Sequence, residues 1–224
     1  FLLFSLGLLA QTQPVDSYAR LRELFPNPPA AYSTMPFFVW NGEVNEAMID
    51  KFLADFHSQG VRGFFIHPRP GLVTPYLSDR WFALVRYTVD QAKKLGMEAW
   101  LYDENSYPSG FAGGHVPAQM PESYNQGQGL SMRKLAQPDE AAKCDILVRH
   151  EGQSYCFTRT YNEKRGWYGG FSYVDLIKPG VTEKLIEVTM PGYERALGAD
   201  LGIGKTVPGI FTDEPQINPP GRNA

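Results

Sequence analysis

Short apolar runs alternate with amphipathic segments through the first half of the chain. Three continuous runs rich in aromatic residues predict strands that are covered on both faces: 35–40, 62–67 and 97–102. Two segments carry apolar residues at helical spacing and predict helices: 45–58 and 78–95. Asn45 and Ser78 can cap the first turns of these helices. Because strands and helices alternate, the pattern predicts parallel strands joined by right-handed crossovers.

The pattern changes at residue 117, where the helical period is lost for some fifty residues. Two β-like runs, 144–149 and 154–161, predict a hairpin that turns at Glu151 and Gly152. We therefore expect a β-rich lobe inserted between the third and fourth strands of the sheet.

Helical spacing returns near the end of the chain. Thr182 can cap this helix, although Pro191 and Gly192 are expected to kink it or to end its first half. Residues 209–211 then predict a fourth strand, so the fold class is α/β.

Composition narrows the possible functions. Of the 224 residues 43% are hydrophobic, which is enough for a folded core. The 21 basic and 24 acidic residues give a net charge of −3 without any basic run, which argues against nucleic acid or an acidic membrane as the main partner. Aromatic residues make up 13% of the chain, beside 22 glycines and 18 prolines. This mixture favours a site built from loops with flat stacking surfaces.

Two cysteines exclude some metal and redox chemistry. Cys144 and Cys156 cannot form a tetrahedral zinc site alone, and they lack the spacing of a redox pair. They flank the predicted turn, so a cross-strand disulfide is possible, but we expect unpaired thiols.

The two ends of the chain suggest export and a truncated fold. Residues 1–10 read FLLFSLGLLA, followed by polar residues, which is typical of the apolar core of a signal peptide cleaved after Ala10. The run is too short to span a bilayer as a helix, and a buried core strand is the alternative. After residue 215 nothing remains that could pack, which predicts a fold cut off in mid-course, with a natural disordered tail as the alternative.

Polar side chains follow each predicted strand. They are Asn41 after the first strand, His67 and Arg69 at the second, Asp103 and Glu104 after the third, and Asp213 and Glu214 after the fourth. Because the carboxyl ends of parallel strands meet at one edge, we expect a single pocket there. The alternative for any one acidic pair is a helix cap or a solvated loop.

Carboxylates among aromatic residues in an exported protein favour glycoside hydrolysis, with an oligosaccharide or polysaccharide as substrate. Aromatic side chains that could stack on sugar rings are Trp40, Tyr76, Trp81 and Tyr107. Each of these is more often a core residue than a binding surface, and Trp81 is expected in the core of its helix.

Five sequence blocks, in this order, resemble the N-terminal half of the barrel of glycoside hydrolase family 106, the α-L-rhamnosidase-like enzymes: PFFVWNG, GFFIHPRPG, PYLSDRW, LGMEAWLYDENSYPSGFAGG and GIFTDEP. The similarity covers residues 35–114 and 173–215. The resemblance implies an exported bacterial enzyme with a (β/α)8 TIM-type barrel. It also implies calcium-assisted, inverting hydrolysis of α-L-rhamnosides in plant or microbial polysaccharides.

On this reading the chain is a fragment that holds at most four of eight barrel strands, and we expect it to be inactive alone. Its parts would be a signal peptide remnant (1–13), barrel units one to three (14–116), a β-rich insertion (117–172), and the third barrel helix with the fourth strand (173–224). A second catalytic carboxylate would then lie beyond the chain.

Residue roles follow from position and chemistry. Glu214 is the first choice for the general acid, since the like charge of Asp213 can keep it protonated, and Glu104 is the second choice. Alternatively, Glu104 and Asp103 orient Arg69 or hold calcium. The residues expected to bind the sugar are Asn41, His67, Arg69, Trp40, Tyr107 and Asp213. His67 has the alternative of bonding a neighbouring loop.

Two other classes compete with a glycosidase. A carbohydrate-binding or degenerate module would keep the pocket without catalysis. A metal-dependent hydrolase of the amidohydrolase type would need an H-x-H pair at a strand end, which the residues around His67 do not supply.

Overall fold

A computed structural model describes residues 15–29, 32–136, 141 and 143–217. The predicted signal peptide and the chain after residue 217 lie outside these residues. The helices are α1 (Tyr18–Leu24), α2 (Glu46–Ser58), α3 (Asp79–Lys94), α4 (His115–Gln119) and α5 (Val181–Leu201). The strands are β1 (Phe37–Trp40), β2 (Gly63–Pro68), β3 (Glu98–Tyr102), β4 (Gln126–Lys134), β5 (Ile146–His150), β6 (Gln153–Tyr161) and β7 (Ile210–Phe211).

Four parallel strands form the main sheet in the order β1-β2-β3-β7. This order follows the chain without a reversal. Because crossovers between parallel strands are right-handed, such an order places the connecting helices on one face of the sheet. The α/β class and the parallel pairing of the four strands are confirmed.

The helix-covered face of the sheet forms the core. Asn45 and Ser78 cap α2 and α3 as predicted, each accepting a hydrogen bond from a backbone amide three residues on. Six strand residues facing these helices are at most 2% exposed: Phe38, Trp40, Phe64, Ile66, Ala99 and Leu101. They pack with buried residues of the helices, such as Ile49 of α2 and Trp81 of α3.

The opposite face of the sheet is aromatic and partly open. On β1, Phe37 and Val39 are 43% and 44% exposed, and they alternate with the buried residues of the same strand. The rings of Phe37 and Phe211 lie 5.4 Å apart, although β1 and β7 are the two edges of the sheet. Three strand spacings of about 4.8 Å would hold these edges about 14 Å apart in a flat sheet. The sheet therefore curls, and its open face is concave.

A separate antiparallel sheet, β4-β6-β5, forms the predicted lobe between β3 and β7. Glu151 and Gly152 turn the predicted hairpin, with positive φ values of 49° and 74°, as its tight geometry requires. Strand β4 was not predicted, because its QGQGLSMRK run is rich in glycine and glutamine rather than in β-branched residues. The expectation of unpaired thiols was wrong: Cys144 and Cys156 form a disulfide within this lobe.

The last helix corrects two predictions. Thr182 lies inside α5 rather than capping it, because the helix begins at Val181 after Gly180. Pro191 and Gly192 lie within the helix and do not end it, and the helical backbone is interrupted only at Gly198. Gly192 faces the ring of Phe82 on α3 so closely that a β-carbon would overlap it. The close packing of α5 on α3 thus accounts for the glycine.

Candidate functional site

The loop after β3 is organised by Glu104, which is fully buried. Its carboxylate accepts hydrogen bonds from five backbone amides: Asn105, Gly110, Phe111, Ala112 and Gly113. Burial raises the pKa of Glu104 to about 7, while the hydrogen bonds from the amides act in the opposite direction. Both oxygens of this predicted catalytic residue are therefore engaged in holding its own loop.

Asp103 is buried beside this loop. Its two oxygens accept hydrogen bonds from the hydroxyls of Ser109 (2.5 Å) and Thr212 (2.8 Å). Burial raises the pKa of Asp103, and these two hydrogen bonds lower it. The Ser109 hydroxyl also accepts a hydrogen bond from the Asp213 amide, so Asp103 ties the end of β3 to the end of β7.

Glu104 has no free oxygen for a calcium ion. Its two oxygens accept five amide hydrogen bonds, which a cation would have to displace. Each oxygen of Asp103 accepts one hydroxyl hydrogen bond. Across the described residues, no three His, Cys, Asp or Glu side chains are grouped so that they could hold a metal ion. We derive no chemical step through calcium.

Tyr102 links the open face of the sheet to Asp213. Its hydroxyl donates a hydrogen bond of 2.7 Å to Oδ2 of Asp213, and its ring stacks on Phe211. Burial, followed by the hydrogen bond to Asp213, raises the pKa of Tyr102, so the phenol remains a donor. Asp213 is half-buried, and the hydrogen bond from Tyr102 orients its carboxylate at the carboxyl end of β7.

His67 and Arg69 form a second pair at the end of β2. Nε of Arg69 donates a hydrogen bond of 2.5 Å to Nε2 of His67, which places the imidazole proton on Nδ1. The buried ring of His67 stacks on Phe37 and meets the edge of Tyr102, with centroids 4.3 and 4.1 Å apart. Burial and the charge of Arg69 lower the pKa of His67 to about 4, so the ring is neutral near pH 7.

Tyr107 and Glu214 meet at the outer edge of this group. The Tyr107 hydroxyl donates a hydrogen bond to Oε2 of Glu214, and this bond raises the pKa of Tyr107. Glu214 is exposed and has a φ of 40°. A left-handed backbone costs a non-glycine residue about 1–3 kcal/mol, and such residues concentrate at functional sites.

Five of the predicted site residues therefore lie together: His67, Arg69, Tyr107, Asp213 and Glu214. Tyr102 joins them through its contacts with His67 and Asp213. We call this group the strand-end cluster, and Tyr102 is included in it.

Asn41 lies exposed at the neighbouring strand end. Its backbone carbonyl is packed against Gly71, where a β-carbon would lie 2.6 Å from the carbonyl oxygen. The Arg69 amide donates to the Trp40 carbonyl, so the ends of β1 and β2 are adjacent.

Other predicted residues lie away from the open face. Trp40 is 1% exposed, with its ring packed edge-on against Trp81, which leaves no ring face for a sugar. Tyr76 is similarly buried against Trp81. Trp81 lies in the helix core as expected.

Three residues around the strand-end cluster were not predicted from the sequence. Tyr102 was assigned to a strand, but the two-residue alternation that places His67 on the aromatic face of the sheet also predicts Tyr102 on that face. Tyr173 donates a hydrogen bond to the Ser109 carbonyl and accepts one from the Gln216 amide. Trp167 donates a hydrogen bond to the carbonyl of Tyr107, 60 residues earlier in the chain, and no local pattern reveals that contact.

The fold and the site thus define an α/β protein with paired carboxylates at the carboxyl ends of its parallel strands. Neither a protein-family model nor a curated protein sequence matches the chain. One similar solved structure is a rhamnosidase from Novosphingobium sp. PP1Y, with 18% sequence identity and a TM-score of 0.39. The similarity covers 58% of this chain and 12% of the rhamnosidase chain. In the described residues, no helix has the length and apolar character needed to cross a membrane.

Proposed function

We propose that this chain supplies a saccharide-binding and catalytic edge of a glycoside hydrolase. The observation that carries the proposal is the placement of Asp213 and Glu214. These carboxylates follow one parallel strand, and each accepts a hydrogen bond from a tyrosine hydroxyl. The neutral His67 and the cationic Arg69 lie beside them on an aromatic face. Carboxylates, polar donors and aromatic surfaces are the groups that sugar hydrolysis uses.

Within this proposal Glu214 is the general acid. Its exposed carboxyl group can approach the glycosidic oxygen, whereas the oxygens of Glu104 are engaged by amides. In an inverting reaction Glu214 protonates the leaving oxygen as the glycosidic bond breaks, and a base-activated water attacks the anomeric carbon from the opposite face. Tyr107 fixes the carboxyl group of Glu214, and Asp213 and Arg69 bind sugar hydroxyls.

The finer proposal is an α-L-rhamnosidase built on the first half of a (β/α)8 barrel. The five sequence blocks that resemble family 106 support it. The uninterrupted order of the parallel strands also supports it, because the strands of a (β/α)8 barrel follow the chain in order. The concave aromatic face supports it as well, because a sheet that closes into a barrel is concave on its inner side. Export remains part of the proposal, and the Cys144–Cys156 disulfide supports it, because disulfides persist in oxidising compartments.

A second candidate is a saccharide-binding module without catalysis. The observation that favours it is the burial of Glu104, which leaves one of the two predicted catalytic carboxylates available to a substrate. A module of this kind would bind sugar at the strand-end cluster and release it unchanged.

Hydrolysis of a panel of aryl glycosides, α-L-rhamnoside included, by the complete natural protein separates the two candidates. Glu214→Gln should lower kcat by about 10²- to 10⁴-fold on natural disaccharides, as loss of a general acid does. It should matter much less for activated aryl glycosides, whose phenolates leave with little protonation. Glu183→Gln, an exposed change on α5, is the matched control and should leave the rates unchanged.

Saccharide binding without turnover by the wild-type protein would favour the non-catalytic module. Equal losses for both kinds of leaving group in Glu214→Gln would remove Glu214 from the acid role.

A further inference from the structure

We propose that Trp167 is a stacking platform for a saccharide unit adjacent to the one bound at Asp213 and Glu214. The proposal rests on the proposed function and adds a substrate-binding residue from the inserted lobe. It makes the site selective for oligosaccharides over single sugars, because the platform lies one tyrosine side chain away from Glu214.

The position of Trp167 is fixed by a hydrogen bond to the loop after β3. The residue lies in a 3-10 turn, Gly166–Tyr168, after the end of β6. Its indole Nε1 donates a hydrogen bond of 2.5 Å to the backbone carbonyl of Tyr107. The hydroxyl at the other end of Tyr107 donates to Glu214, so a single residue connects the indole to the candidate acid.

The turn is also packed against the protein body. Gly169 has a φ of 66° and lies so close to the Gly113 carbonyl that a β-carbon would overlap it. The Arg165 amide donates to the Phe171 carbonyl at 2.8 Å, which closes the base of the turn. The Trp167 side chain is therefore already fixed in the free protein. Binding a ligand to it would cost little conformational entropy.

The exposure of Trp167 points to a ligand. Its indole N–H is satisfied by protein, yet 46% of the residue remains in contact with water. Two of the other three tryptophans, Trp40 and Trp81, are 1% exposed, and the half-buried Trp100 bonds Glu98. A fixed apolar ring, joined through Tyr107 to the carboxylate of Glu214, suits the apolar C–H face of a sugar ring.

Intrinsic tryptophan fluorescence tests the contact directly. Titration of the complete natural protein with an α-L-rhamnosyl disaccharide should change the emission, and Trp167→Phe should abolish that change. Trp100→Phe is the matched removal of another tryptophan and should keep it. Methyl α-L-rhamnoside, which offers a single sugar, should give a much smaller change. An unaltered signal in Trp167→Phe would overturn the proposal.

Kinetics separates a platform from a purely structural anchor. Trp167→Ala should raise KM for the disaccharide about tenfold with little change in kcat, since uniform binding is lost. Trp167→Phe keeps an aromatic face but loses the N–H anchor, and should recover most of the affinity. If Phe is as damaging as Ala, the indole acts only as an anchor and the proposal is wrong.

The proposed function can survive the failure of this inference. Hydrolysis that depends on Glu214 but not on Trp167 would reject the platform alone. A protein that neither binds nor hydrolyses any of the saccharides would reject both.

Discussion

The Tyr102 hydroxyl of β3 donates a hydrogen bond of 2.7 Å to Oδ2 of Asp213, which follows the neighbouring strand β7. The same ring meets the edge of His67 on the neighbouring strand. Tyr102 therefore joins three strand ends at the point where the polar side chains converge. In the proposed function, Tyr102 is a positioning residue for Asp213.

Removing this hydroxyl tests the positioning role. Tyr102→Phe keeps the ring on Phe211 but deletes the hydrogen bond to a charged group, which is worth about 1.5–3 kcal/mol. We expect kcat/KM on a cleaved glycoside to fall about tenfold or more, and Tm to fall by several degrees. Tyr18→Phe, at a residue 77% exposed on α1, is the control and should match wild type. Unchanged kinetics in Tyr102→Phe would show that Asp213 needs no support.

Glu104 gives a stability prediction. Glu104→Gln replaces an oxygen by an amide N–H group that faces backbone amides, and each buried polar group left without a partner costs about 1–3 kcal/mol. We expect a loss of about 3 kcal/mol, seen as a fall in Tm of about 10 °C. The exposed Glu194→Gln, in the interior of α5, is the control and should leave Tm unchanged. A stable Glu104→Gln variant that has lost activity would instead restore Glu104 to the catalytic group.

Local sequence signals predicted much of this fold and less of the site. The caps at Asn45 and Ser78 and the phases of the first three strands depend on neighbouring residues, so the sequence carries them. The role of Glu104 could not be predicted from the sequence. It depends on a loop that folds back and directs five backbone amides at one side chain. The disulfide and the contact of Trp167 with Tyr107 likewise depend on the placement of distant segments.

The charge of His67 gives a pH prediction. Its folded-state pKa of about 4 lies below the ordinary value of 6.5, so the folded protein takes up this proton less readily than the unfolded chain. The contribution of His67 to the free energy of unfolding is therefore complete above pH 6.5. It declines as the pH falls towards 4.

Long-range ¹H–¹⁵N NMR of the imidazole measures this titration, with His67→Gln used to assign the signals. The spectrum should show a proton on Nδ1 and none on Nε2 at pH 7, and a midpoint near pH 4. A midpoint near 6.5 would mean that Arg69 and burial do not control the ring.

The disulfide of the lobe gives a prediction that is independent of the site. Cys144→Ser with Cys156→Ser opens a short loop, and a crosslink of this length contributes about 3 kcal/mol through the unfolded state. The lobe should become more susceptible to proteolysis near residues 144–156, whereas the parallel sheet should be protected as before. Equal protease sensitivity in the reduced and oxidised wild-type protein would contradict the pairing.

A substitution at Gly192 tests why α5 continues through Pro191 and Gly192, which were expected to kink or end it. Gly192→Ala gains about 1 kcal/mol of helix propensity, but its β-carbon would overlap the ring of Phe82. Overpacking of this kind costs about 1–3 kcal/mol, so we expect a net fall in the free energy of unfolding, measured by urea denaturation.

Phe82→Leu alone removes packing and should also destabilise the protein. Added to Gly192→Ala it relieves the overlap, so the two changes together should cost less than the sum of the single changes. A more stable Gly192→Ala variant would show that α5 is not held against α3 as closely as the Gly192–Phe82 contact requires.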